Sequence, residues 1–95
     1  VDKWNRHDQK LFEAVEKGDT KKVSSLLSKK LLRPTKPSPR GLSSFHLAAS
    51  RGLPDILNII ISYKVEVNAK TDEGSTALHL ASIFCHPECV NLLLK

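Results

Sequence analysis

Ser43-Ser44-Phe45-His46-Leu47-Ala48-Ala49 and Thr76-Ala77-Leu78-His79-Leu80-Ala81-Ser82 are one phrase written twice, and their spacing decides the fold. His46 to His79 is 33 residues, as are Gly41 to Gly74 and Leu47 to Leu80. The correspondence continues through Pro54 and Pro87, Leu57 and Val90, and Ile60-Ile61 and Leu93-Leu94. A fainter copy lies upstream, where Leu11, Ala14, Gly18, Val23 and Leu26-Leu27 precede Phe45, Ala48, Gly52, Leu57 and Ile60-Ile61 by 34 residues. Recurrence at such a period is the mark of like units stacked side by side.

Each copy reads as two short helices. The first opens on a hydroxyl, Ser43 or Thr76, able to accept from an otherwise unpaired first-turn amide. Small residues follow (Ala48-Ala49, Ala81-Ser82) and admit a close neighbour. Gly18 and Gly52 stand where the chain must turn left-handed. The second helix begins at Pro54 or Pro87, where a missing amide hydrogen is harmless, and buries Ile56, Leu57, Ile60 and Ile61 at helical spacing. Glu66-Val67-Asn68-Ala69-Lys70 then leads through Asp72-Glu73-Gly74 into the next copy. Neither helix can bury its apolar face alone, so the copies must stack. The expected class is all-α.

The period, Gly41-x-Ser43-Ser44-Phe45-His46-Leu47-Ala48-Ala49-x-x-Gly52 and Val67-Asn68-Ala69 together resemble the ankyrin repeat. The likeness covers 38–95 strongly and 8–36 more loosely. The resemblance implies a solenoid of about three stacked helix-turn-helix units with short finger loops. Its divisions are an irregular first repeat at 8–37, a second at 38–70 and a truncated third at 71–95. The opening, Trp4-Asn5-Arg6-His7-Asp8-Gln9-Lys10-Leu11, is similar to the lead-in of the ankycorbin-like group, which joins N-terminal ankyrin repeats to a long coiled coil. That narrower likeness implies a protein of the cytoskeleton or cell cortex, self-associating through a coiled coil outside this segment, while Cys85 and Cys89, too few for a disulfide scaffold, suggest an intracellular, cytoplasmic setting.

Three departures from the pattern carry information. Cys85 stands where the second copy has Gly52, so either it accepts positive φ at roughly 1 kcal/mol or the turn is rebuilt. Arg33-Pro34-Thr35-Lys36-Pro37-Ser38-Pro39-Arg40 puts three prolines where a hairpin finger belongs, and proline cannot donate to a ladder. That finger is expected to have few or no paired strands, and the one at 68–75 to be better formed. Ile83 and Phe84 match Ser50 and Arg51, a groove-facing position that is usually polar. They are expected either to anchor a partner or to cover the helices of a following copy. Leu92, Leu93 and Leu94 likewise have one face without a neighbour.

The 95 residues allow one domain, and 40% hydrophobic with 26% charged excludes a disordered tail. No apolar run approaches the roughly 20 residues of a bilayer span. No methionine occurs, so Val1 is not expected to be the natural start and the chain reads as an excerpt. The start, Val1-Asp2-Lys3-Trp4, does not read as a signal peptide. The net charge of +5 is uneven: Lys and Arg outnumber Asp and Glu twelve to five through Arg51 and are outnumbered three to five beyond it. The run Lys29-Lys30-Leu31-Leu32-Arg33-Pro34-Thr35-Lys36 invites a polyanion but has no interleaved aromatics for base stacking, and reads as a solvated loop. Thr35 and Ser38 lie among cations as low-specificity phosphorylation candidates.

His79, Cys85, His86 and Cys89 suggest a metal at first sight. Cys85 and Cys89 straddle the turn before Pro87, however, and His79 repeats the Ser43-x-x-His46 wiring as Thr76-x-x-His79. No metal and no cofactor are expected. Nothing orients Cys85 and His86 as a catalytic pair, no phosphate loop is present, and no enzyme is expected. Cys89 falls at the Ile56 position, as a small buried hydrophobe.

The function implied is protein–protein interaction, a scaffold holding an unidentified partner protein in the concave groove of fingers and inner helices. The residues expected to make it are Arg40, Leu42 and Arg51 from the second copy, with Asp72, Glu73, Ser75, Ile83 and Phe84 from the third. The alternative is a basic module binding anionic lipid head groups or nucleic acid through its N-terminal half, the less favoured partners.

Overall fold

The computed structural model describes residues 3–29, 33–63 and 65–94. Among them are six helices: α1 (Arg6–Lys17), α2 (Thr20–Lys29), α3 (Ser44–Ser50), α4 (Pro54–Ile61), α5 (Ala77–Ile83) and α6 (Pro87–Leu94). They form three antiparallel pairs. Helix α3 packs between α1 and α5 in one row, and α4 between α2 and α6 in a second. The chain is all-α, as the repeat predicts.

Local chemistry fixes each pair. Asn5 caps α1 by accepting from the amides of His7 and Asp8, and Asp8 returns the bond to the Asn5 amide at 3.0 Å. Ser43 caps α3 and Thr76 caps α5 through the amides of His46 and His79. Pro54 and Pro87 open α4 and α6. The turn within each pair is closed by the same two bonds. They run from Gly18 N to Val15 O and Asp19 N to Ala14 O, from Gly52 N to Ala49 O and Leu53 N to Ala48 O, and from Cys85 N to Ser82 O and His86 N to Ala81 O. Cys85 accepts the strained conformation (φ 59°) and the turn is not rebuilt.

The core is mostly aliphatic and continuous through the pairs: Leu11, Val15, Val23, Leu57 and Ile60 are buried, with Phe45 and Cys89 among them. Ala48, Ala49, Ala77 and Ala81 are fully covered, so the inner row can pack backbone against backbone. The chain between α2 and α3 carries its prolines without any strand pairing among the described residues, while the later finger has a single antiparallel bridge, Lys70 to Thr76. The prolines nevertheless leave the finger tip intact. Gly41 N donates to Ser38 O and Ser38 N to Leu42 O, as Gly74 N donates to Thr71 O and Thr71 N to Ser75 O. Proline at positions 37 and 39 removes ladder donors but not the two amides that this turn uses.

Lys30, Leu31 and Leu32, the middle of the basic run, lie outside the described residues. The end of that run has a structural task. Lys36 Nζ reaches back to buried Asp8 at 2.7 Å and to the Lys3 carbonyl at 3.0 Å. Trp4 meets Phe12 edge to face, and its indole donates to Gln9. Leu94 is 67% exposed, and Leu92 and Leu93 are half-buried.

Candidate partner-binding groove

The groove rests on a buried frame. The His46 ring donates from Nε2 to the Ala69 carbonyl at 2.8 Å, which leaves Nδ1 to accept from the Ser43 hydroxyl. One inner helix is thereby tied to the following finger. Burial lowers the His46 pKa, outweighing the Ala69 carbonyl, which favours the charged ring. His79 is wired alike: its Nδ1 accepts from the Thr76 amide and lies 2.9 Å from the Thr76 hydroxyl. Nothing among the described residues meets its Nε2, and the ring is exposed. The fingers also touch, since Asp72 N donates to Gly41 O. A side chain on Gly41 would strike the Asp72 carboxylate at 2.5 Å.

On this frame, seven of the eight residues expected from the sequence line one cleft of about 250 Å³. Arg40 and Leu42 come from the first finger, Asp72, Glu73 and Ser75 from the second, and Ile83 and Phe84 from the end of α5. Leu42 and Leu80 are half-buried and form its floor. Ile83 and Phe84 are 67% and 54% exposed, large apolar surfaces held out from the core. Arg51 is not brought in: it caps the C-terminus of α3, exposed and outside this cleft.

Sequence reasoning missed Leu80, and it missed an adjoining cleft that shares Arg40 and is lined by Gln9, Phe12, Glu13, Glu16, Ser38 and Pro39. Glu13, Leu47 and Leu80 are equivalent positions of the three copies, as are Glu16, Ser50 and Ile83. The register relates these positions but does not by itself place them on a cleft, since Leu47 is buried.

The remaining candidates are dispersed. Cys89 is buried, and burial followed by the nearby Glu88 charge raises its thiol pKa. Cys85 is exposed. The His86 ring lies against Gly52 and donates from Nε2 to the Ser50 carbonyl at 2.9 Å. Among the described residues no three His, Cys, Asp or Glu are grouped to hold a metal, and no helix is long and apolar enough to cross a membrane.

Comparison with known proteins agrees with this geometry. The family model for ankyrin repeats, with three copies, matches residues 11–95. The chain belongs to the ankyrin-repeat family. Human ankyrin repeat domain-containing protein 35 is 54% identical over 73 residues, which are 77% of this chain and 7% of that protein. Mouse uveal autoantigen with coiled-coil domains and ankyrin repeats is 44% identical over 64 residues, 67% of this chain and 4% of that protein. The Notch-regulated ankyrin repeat-containing protein of Xenopus tropicalis is 27% identical over 92 residues, covering 93% of this chain and 81% of that one. The ankyrin stack thus spans a small part of the first two relatives and most of the third.

Proposed function

We propose that this ankyrin stack holds a partner protein in the cleft between its two finger tips and α5, as one module of a scaffold. The observation that carries this reading is the separation of frame from surface. His46, Ser43, Ala69 and the alanine rows hold the repeats together, whereas Arg40, Glu73, Ile83 and Phe84 are exposed and take no part in that wiring. Large apolar side chains kept in water beside charged ones are the composition of an interaction hot spot. Binding, with no chemical step, is the activity this surface supports. Cys85 and Cys89 are free thiols, which favours a reducing, cytoplasmic setting. A place at the cytoskeleton or cell cortex is proposed on the likeness to the ankyrin-plus-coiled-coil group alone.

Photo-crosslinking tests the reading. Benzoylphenylalanine introduced at Ser75 or Phe84 should give a discrete protein adduct in cell extract, competed by excess unlabelled chain, and at Asn58 on the outer face of α4 it should give none. Adducts only at Asn58 would refute the cleft. Loss of the bound species on Lys21→Glu with Lys22→Glu, and not on Phe84→Ala, would favour the anionic-ligand alternative instead.

A further inference from the structure

The chain as a whole is basic, at +5, yet two adjoining clefts are rich in carboxylates. The two adjoining clefts share Arg40 and are lined by four carboxylates: Glu13 and Glu16 on one side of it, Asp72 and Glu73 on the other. Among the described residues none of the four is in an ion pair, and only Glu13 is engaged by a side chain, accepting from Gln9 at 3.1 Å. Lys10 and Lys17 share α1 with Glu13 and Glu16, but neither lines the two clefts. Lys21 is on the outer row, and Lys36 is turned inward to Asp8. Arg40 joins the cleft of Glu13 and Glu16 to that of Asp72 and Glu73, which Leu42, Leu80 and Phe84 also line. At about 250 Å³ the cleft falls below the roughly 300–1,000 Å³ of small-molecule sites and suits one large side chain.

We propose that the occupant is a basic peptide segment: one large apolar side chain seated on Leu42, Leu80 and Phe84, with lysines or arginines on both sides of it. This rests on the cleft being the partner site. One flanking cation meets Asp72 and Glu73 and the other meets Glu13 and Glu16. Arg40, between them, repels a cation placed next to the anchor and so sets the register. Complementary charge of this kind gives selectivity and speeds encounter more than it deepens affinity. A polyanion is disfavoured on this face by the same four carboxylates.

The test is selection of random dodecapeptides displayed on phage against the 95-residue chain. The enriched peptides should carry a large apolar residue with Lys or Arg on both sides. Their affinity should fall about tenfold or more between roughly 50 and 200 mM salt. Asp72→Lys with Glu73→Lys should weaken them at least about tenfold, as should Phe84→Ala. These side chains are exposed, and an unchanged circular dichroism melt verifies the fold. Neutral or acidic peptides that still depend on Phe84 would overturn the basic segment and leave the cleft standing. Basic peptides indifferent to Phe84→Ala would overturn both, as would a selection that enriches nothing over the charge-reversed variant.

Discussion

At the residue scale, two equivalent turns carry different constraints. Gly18 (φ 72°) has open space where a Cβ would stand, so Gly18→Ala meets only the left-handed penalty, about 1 kcal/mol. Gly52 (φ 66°) lies under the His86 ring, and a Cβ there would come within 2.3 Å of it. Gly52→Ala must push that ring off the Ser50 carbonyl, and a loss of roughly 2–3 kcal/mol is expected. Urea midpoints of the two variants make the comparison. His46 supplies a second residue-scale prediction. Its folded pKa is depressed by burial, so the unfolded chain takes up the proton first as pH falls. The stability it contributes is therefore full above about pH 6.5 and is lost as pH drops through its lowered folded value. The midpoint should fall between about pH 7 and about pH 5, and His46→Gln, less stable throughout, should flatten that slope.

At the element scale, the chain before α3 is held by an ion pair rather than a ladder. Lys36 binds Asp8, whose carboxylate also holds the start of α1, so loop and first helix share one acceptor. Lys36→Met removes the cation and leaves a buried carboxylate with only its backbone donor. The pair lies at the edge of the core, with side chains 13% and 3% exposed, and a loss of about 2–3 kcal/mol is expected by thermal melting. Asp8→Asn with Lys36→Met should recover part of it, since no charge then stays unpaired. This element was half legible. The prolines predicted the absent ladder correctly, but a lysine 28 residues from its partner gives no local sign of the pairing. The run that contains it reads as a solvated loop until the fold turns its end inward.

At the scale of the whole molecule, each helix pair is covered only by its neighbours, so stability should be shared along the stack. Leu57 is buried in the middle pair. Leu57→Ala should cost about 2–5 kcal/mol. Trp4 reports on the first pair alone, whereas helical dichroism reports on all three. The two urea transitions should coincide in the parent chain and move together in Leu57→Ala. A fluorescence transition unmoved by that substitution would mean the first pair unfolds by itself.

The order of the helices, their caps and their turns were readable directly, because each follows from residues within a few positions of one another. Ser43 before His46, Pro54 at a helix start and Gly52 at a turn are local chemistry repeated at a fixed interval. Of the eight residues that the repeat pattern pointed to, seven line one cleft. Arg51, Glu13 and Glu16 were decided otherwise. Whether an exposed side chain at the end of α3 joins the groove, and which carboxylates of α1 border it, depends on how one helix pair sits against the next. That placement arises from packing between residues far apart in the chain, such as Asp72 against Gly41 and His86 against Gly52, and no run of neighbouring residues encodes it.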